Sequence, residues 1–372
     1  MIRAMVCFAW MLPTRLRAIW QLVADPVLSR SYYPEEQRKS KARIMLENLW
    51  WLLRWQEVNY EYLYYGMDRR HGVDFGRYLS KYEFKKLRDQ ANAAANAAAT
   101  AGDTRHRRLN YRLLLGDKFV FCRFLKGLGF PTPEILALGD RDGLFWLDTR
   151  KRMPVGSLLD RRVDVFLKED LFDGGARDFH LAVEGGRLLV GGRGATVEEV
   201  FSLTTGHYIL QQRIEQHPEM ARLHPRSVNT VRLVTTLAGG QAGPLCAIVR
   251  IGSRGSQVDN WSVGGMVVAV GLETGRLGKY ALFKPGYGTR VDRHPETGTV
   301  FEGFEVPFFR EAVQLATELH KFFYGFHSIG WDIAITAAGP VFLEGNDDWG
   351  LAAVQGPCGG LRERFLASLS GK

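Results

Sequence analysis

The chain has little cysteine: its four residues, Cys7, Cys122, Cys246 and Cys358, form no C-x-x-C or other short pairing. That spacing argues against a disulfide framework or a structural zinc site, and a reducing cytoplasm is the expected setting. Long apolar runs are also missing, so no segment reads as a membrane span. The opening "MIRAMVCFAWMLP" has one early Arg and a short apolar stretch, but Arg15 and Arg17 follow with no A-x-A-like site. It reads as a helix of the mature chain rather than a signal peptide. No zinc-finger, RNP-type or basic-zipper pattern occurs, so no specific nucleic-acid partner is expected, and no internal repeat is visible.

What is present is a globular composition. The 372 residues are 46% hydrophobic, 24% charged and 12% aromatic, too apolar for a disordered chain. The length favours two or three domains. A net charge of +9 suggests anionic partners, and phosphates, acidic glycans, nucleic acid and anionic membrane all satisfy it.

Residues 1–90 read as helical, with apolar positions at three- and four-residue spacing and Arg and Lys between them, as in "KARIMLENLWWLLRWQEVNYEYLYYGMDRR". Two readings stay open. The segment is either a basic amphipathic surface docking peripherally on a membrane or a membrane-bound glycosyltransferase, or a helical domain whose Trp and Tyr stripe is its own core. "ANAAANAAATAGDTRHRRLN" then reads as a frayed helix end or linker, placing a boundary near residue 106. A helix is expected from Asp117 to about Leu128, followed by short β-like runs separated by glycine-rich turns from Val163 onward.

Three constellations carry chemistry. The first is "GWDIAITAAGPVFLEGN", read as a hairpin whose Gly339 suits a turn with positive φ. Antiparallel pairing brings Asp332 opposite Glu344, and period-two alternation puts Asn346 on the same face as Glu344. Three hard oxygen donors so placed suit Mg²⁺ or Mn²⁺, with nucleotide phosphates completing the shell. Lys168 is the second, leaving an apolar strand just before Gly174 and Gly175. Such a pair can hold a triphosphate through an ammonium and backbone N–H groups, although neither G-x-x-x-x-G-K-[ST] nor G-x-G-x-x-G is present. Third, Arg232 and Arg250 each sit inside an apolar strand, where an unpaired guanidinium is expensive, so both are expected to face a site or a structural carboxylate. "DNWSVGGM" adds Asp259, Asn260 and the glycine pair Gly264 and Gly265, fitting close backbone approach to a ligand.

In this order, the features resemble the ATP-grasp superfamily. "HPRSVNTVRLVTT", "VDNWSVGGM" and "GWDIAIT…GPVFLEGN" resemble its sugar-transfer-associated family, relatives of α-L-glutamate ligase-like proteins, over about residues 110–365. The resemblance implies an α+β ATP-grasp fold: a part at residues 107–215 and a part at 216–372, clasping ATP and preceded by the helical region 1–106. It places Lys118 and Lys168 on the phosphates and adenine side, with Gly174 and Gly175 as the lid. It makes "YILQQRIEQ" the adenine hinge, with Gln211 and Ile214 at the base and Glu215 on the ribose. Asp332, Glu344 and Asn346 become the metal ligands, and Arg232, Arg250 and Asn260 face the transferred phosphate and the acceptor carboxylate. The chain departs from the family where the hinge commonly starts with an acid and this sequence has Gln211 and Gln212.

The implied activity is ATP-dependent carboxylate–amine ligation through an acyl phosphate, on a small carboxylate and amine that belong to a sugar, amino acid or peptide. Cell-surface polysaccharide or secondary-metabolite synthesis is the expected context. Two alternatives remain: an ATP-grasp kinase that phosphorylates a hydroxyl, and a non-catalytic nucleotide-binding adaptor for a membrane glycosyltransferase.

Overall fold

The computed structural model describes residues 2–71, 73–99, 112–140, 142–169, 178–202, 204, 206–256 and 258–370. Three helices come first: α1 (Ile2–Ala24), α2 (Lys41–Trp55) and α3 (Lys81–Ala99). The short α4 (Leu113–Gly116) leads into α5 (Lys118–Gly127), whose N-cap Asp117 accepts a hydrogen bond from the Val120 amide at 2.8 Å. The linker expected near residue 106 lies outside the described residues.

The first sheet is built from β1 (Ile135–Asp140), β2 (Gly143–Trp146), β3 (Lys151–Met153), β4 (Asp164–Glu169), β5 (Phe179–Glu184), β6 (Arg187–Val190) and β7 (Arg193–Gly194). After α6 (Val197–Ser202), β8 (Tyr208–Gln212) returns to its centre, giving the antiparallel order β3-β2-β1-β8-β4-β5-β6-β7. Alternation sorts its side chains. Val165, Leu167 and Leu210 bury against Val200 of α6 and Leu158, while Phe166, Lys168 and Gln211 point the other way, towards a cleft.

The second sheet follows α7 (Pro218–Leu223) and comprises β9 (Thr230–Ala238), β10 (Gln241–Ile251), β11 (Met266–Val270), β12 (Leu277–Phe283) and β13 (Arg290–Val291). Helix α8 (Phe309–His320) then precedes β14 (Ser328–Thr336) and β15 (Gly339–Asn346), and α9 (Leu351–Cys358) and α10 (Arg362–Leu369) close the chain. The antiparallel order is β13-β12-β11-β10-β9-β14-β15. One face, with Val231, Leu233 and Val249, packs on Phe121 of α5, Met220 of α7 and Leu319 of α8. The opposite face, with Val234, Ile248 and Val267, packs on Trp51, Tyr64 and Phe84 of the N-terminal region and on Val354 and Phe365 of α9 and α10.

That second contact changes the reading of the N-terminus. Its Trp and Tyr stripe is neither a self-contained core nor wholly a surface. Trp51, Tyr62, Tyr64 and Tyr65 are buried in a core shared with the second sheet, whereas Trp20, Trp50, Leu46 and Leu53 are exposed. No helix among the described residues is long and apolar enough to cross a membrane.

Candidate active site

The two sheets face each other across a cleft of about 370 Å³ lined by β4 and β8 on one side and by β9, β10, β14 and β15 on the other. Its floor follows from strand register. Arg232 on β9 lies directly across from Asp332 on β14, and Asp332 lies across from Glu344 on β15. Arg250 on β10 pairs with Thr230, one alternation step from Arg232, so both guanidiniums rise from the same face. This is the face that the N-terminal helices cover farther along the sheet. Gly339 closes the hairpin at φ 115°, as its place after "TAA" requires.

The arginines and acids form one buried network. Asp332 Oδ1 accepts from Arg232 Nε, and its Oδ2 accepts from Arg232 Nη2 at 2.7 Å and Arg250 Nη1 at 2.9 Å. Arg250 Nη2 donates to Asp259 Oδ1 at 2.5 Å, while Asp259 Oδ2 accepts from the Thr230 amide at 3.0 Å and from its hydroxyl. Arg232 Nη1 donates to the Trp349 carbonyl at 2.9 Å. Burial pushes the Asp332 carboxyl up, but the Arg232 and Arg250 charges outweigh it and hold the group below the usual carboxylate range. For Arg250, burial disfavours the charge, and Asp259 with Asp332 overcomes it, leaving the guanidinium above its ordinary value. Gly330 makes room for this network, since a Cβ there would meet Trp349 Cβ at 2.3 Å and Arg232 Cδ at 3.1 Å.

Several polar groups around the cleft are left without partners. Among the described residues, Asp178 Oδ1, Arg250 Nε and Asn346 Nδ2 are buried with no hydrogen-bond partner. Buried polar atoms are normally satisfied, so three around one cleft single it out as the candidate site. Glu344, half-buried on the same floor, has no ion pair among the described residues.

The expected site residues divide accordingly. Lys168, Gln211, Ile214, Arg232, Arg250, Asn260, Asp332, Glu344 and Asn346 all line the cleft. Lys168 Nζ sits 3.6 Å from Asp178 Oδ2, and Gln211 Nε2 points to Cys122 Sγ at 3.6 Å. Lys118 does not line it: the side chain is buried and donates to the Glu169 carbonyl at 2.8 Å, bracing the end of β4. Glu215 is exposed and outside the lining. Gly174 and Gly175 lie outside the described residues. The glycine pair of "DNWSVGGM" serves the protein's own backbone, because a Cβ on Gly265 would meet the carbonyls of Asp259, Asn260 and Ile251 at 2.7–3.0 Å. Asp259, singled out from the sequence with Asn260 in the "DNWSVGGM" loop, also lines the cleft, where it holds Arg250; Asp178 was not selected from the sequence and had no signal there.

The donor set fits a divalent cation in part. Two carboxylates and an amide share the floor, and no cluster of three His, Cys, Asp or Glu among the described residues would hold a metal alone. A set of this kind suits magnesium whose shell phosphates complete. Glu344 and Asn346 have free capacity, while Asp332 is committed to two guanidiniums.

Residues 197–367 match the model of the sugar-transfer associated ATP-grasp family, a stretch that contains the second sheet and its arginine–carboxylate floor. No curated protein matches the sequence. Among solved structures, VanG D-Ala:D-Ser ligase from Enterococcus faecalis is similar with a TM-score of 0.41 and 11% identity, over 75% of this chain and 69% of that one. ATP-grasp ligase PsnB, solved with precursor peptide PsnA2 and AMPPNP, gives 0.38 and 15%, over 77% and 70%. The biotin carboxylase domain of 2-oxoglutarate carboxylase from Hydrogenobacter thermophilus, solved with MgADP, ADP and bicarbonate, gives 0.36 and 14%, over 66% of this chain and only 46% of that one.

Proposed function

We propose that this chain is an ATP-dependent carboxylate–amine ligase that works through an acyl phosphate. The observation that carries the reading is the cleft itself: two partly buried arginines, a Glu344 with no ion pair among the described residues, and the unpartnered Arg250 Nε and Asn346 Nδ2 converge within the stretch that matches ATP-grasp, with the unpartnered Asp178 Oδ1 facing them from outside it. In this chemistry a carboxylate oxygen attacks the γ-phosphorus, the bond to the β-bridging oxygen breaks, and ADP leaves. An amine then attacks the acyl carbon, and the collapse of the tetrahedral intermediate releases phosphate and a proton.

This chain's own residues would do mainly electrostatic work. Arg232 and Arg250, held in place by Asp332 and Asp259, present fixed positive charge to the transferring phosphoryl group without a cost of reorganisation. Lys168 faces them from the opposite sheet. A magnesium ion held by Glu344 and Asn346, with Asp332 beside them, would supply further charge neutralisation at the phosphates. Water must be kept out, because it hydrolyses an acyl phosphate, and the narrow space between the sheets serves that need.

The deciding experiment incubates the protein with Mg²⁺-ATP and pooled carboxylates, with and without pooled amines, and follows phosphorus products by ³¹P NMR. ADP and free phosphate that require both pools support the ligase. A phosphorylated product with no amine requirement replaces it with hydroxyl phosphorylation, and AMP with pyrophosphate rejects both.

We also propose that the outer face of α1 and α2 is a peripheral contact for an anionic membrane surface. Leu16, Trp20, Leu46, Trp50 and Leu53 are exposed there beside Arg17, Arg43 and Arg54. Helix α1 contains no acid, and the single acid of α2, Glu47, is buried against Lys39, Arg43 and Tyr62. A basic, Trp-bearing face without exposed acids is complementary to anionic headgroups.

A further inference from the structure

A second pocket of about 630 Å³ adjoins the cleft, walled by α1 and α3 on one side and by the Trp261 loop, the β12–β13 turn and the start of α9 on the other. Ser262, Asp348 and Gly350 line both spaces, so the two communicate past the Trp349–Gly350 segment that Arg232 holds. We propose that this pocket binds the body of the acceptor substrate, a small organic anion with a bulky, partly apolar frame, and that its reactive end passes Ser262 into the cleft. The proposal rests on the ligase reading and adds the substrate's chemical class and the residues that select it.

The lining supports that class. Leu22, Leu28, Phe84, Tyr60 and Trp261 supply apolar and aromatic surface. The acids present are already answered: Glu61 by Lys81 at 3.6 Å, and Asp348 by Arg88 at 3.5 Å and Lys85 at 4.0 Å. Lys284 is half-buried in the pocket wall, and its ammonium pairs with no carboxylate among the described residues. Trp261 Nε1 is buried with no acceptor among them. Helix α9 begins in the same wall, and its N-cap Gly350 provides no side-chain cap, which leaves the amides of Leu351 and Ala352 at the positive end of the helix. An unpaired ammonium, an unmatched indole N–H and an uncapped helix start, set among aromatic faces, together match an anion on an apolar frame.

The placement also gives the N-terminal helices a role. They lie outside the matched stretch 197–367, yet α1 and α3 form one wall of this pocket, so substrate choice is built by the part of the chain that the ATP-grasp segment lacks.

Anilinonaphthalene sulfonate, an anion on an apolar frame, is the probe. Its fluorescence is titrated into the parent protein, Lys284→Glu and Lys284→Arg with Mg²⁺-ADP saturating, and ADP affinity is measured separately by calorimetry. Dye is expected to bind beside ADP, with affinity falling about ten-fold or more in Lys284→Glu, kept in Lys284→Arg, and ADP affinity equal in all three. Equal dye affinity in the parent and Lys284→Glu, or displacement of the dye by ADP, overturns the assignment. Because the dye site is read without turnover, a failed ligase assay with an intact Lys284-dependent site rejects the proposed chemistry and leaves the pocket standing.

Discussion

Asp332 shows how one side chain can be both costly and decisive. Its carboxylate is 4% exposed, and two guanidiniums repay the desolvation. Arg250→Ala removes one of them and strands charge on Asp332 and Asp259, so a stability loss of about 3–5 kcal/mol is expected in chemical denaturation. Glu344→Gln should behave in the opposite way. The side chain has no ion pair to lose among the described residues, so the melting temperature should stay nearly unchanged while divalent-dependent ATP turnover disappears; undiminished turnover would remove Glu344 from the metal site. The sequence pointed to these residues by an elementary rule, that charged groups inside apolar strands need partners. It did not say which partner. Arg232 and Asp332 are a hundred positions apart, and only the β9–β14 register makes them neighbours.

At the level of elements, the β14–β15 hairpin was legible because its turn is local and its two apolar runs flank a glycine. What local pattern omitted was the bulge between Asp332 and Ile333, which lets Asp332 stay opposite Glu344, in register with Gly330 and Trp331, although Ile333–Thr336 near the turn pair one step out of that register. Gly330→Ala should disturb this element, since the added Cβ meets Trp349 and Arg232. A Glu344-type loss of turnover accompanied by a clear fall in melting temperature is the expected outcome. The α1–α2 face makes a different prediction. Replacing Trp20, Trp50 and Leu53 with Ala should reduce co-sedimentation with phosphatidylglycerol vesicles several-fold, with melting temperature unchanged because these side chains are exposed. Parent protein that fails to sediment with those vesicles, or that binds neutral vesicles equally well, would reject the membrane contact.

Across the whole molecule, acid should destabilise the fold in two stages. Burial lowers His320 to about 3, and it lowers His224 and His327 below the ordinary histidine value. A depressed histidine contributes its full stability above pH 6.5 or so and loses it as pH falls, because the unfolded chain takes up the proton first. For His320 that loss runs from about 6.5 down to about 3, at about 1.4 kcal/mol per pH unit. Asp332 adds its own loss only below the ordinary carboxylate range, about 3.9 and lower. Thermal unfolding followed from pH 8 to pH 3 should therefore show a decline that begins near 6.5; a flat profile down to pH 4 would contradict the buried, neutral state of these histidines. Removing residues 1–99 should give aggregated protein rather than a smaller stable enzyme, because Val234, Ile248 and Trp349 would lose the Trp51, Tyr64 and Phe84 surface that covers them.

By itself the sequence determined the local chemistry: helix-period runs at the N-terminus, alternating strands after Val163, the hairpin, and a set of charged residues too deep in apolar surroundings to be idle. These follow from interactions between residues close in the chain, where spacing stands in for geometry. Tertiary structure alone decided which charges meet, that Lys118 braces β4 instead of facing the cleft, and that the N-terminal aromatics complete the second sheet's core. It also decided that a second pocket opens beside the first, because Ser262, Asp348 and Gly350 line both spaces while α1, α3 and α9 wall only the second, and the separation of these elements along the chain carries no record of their contact.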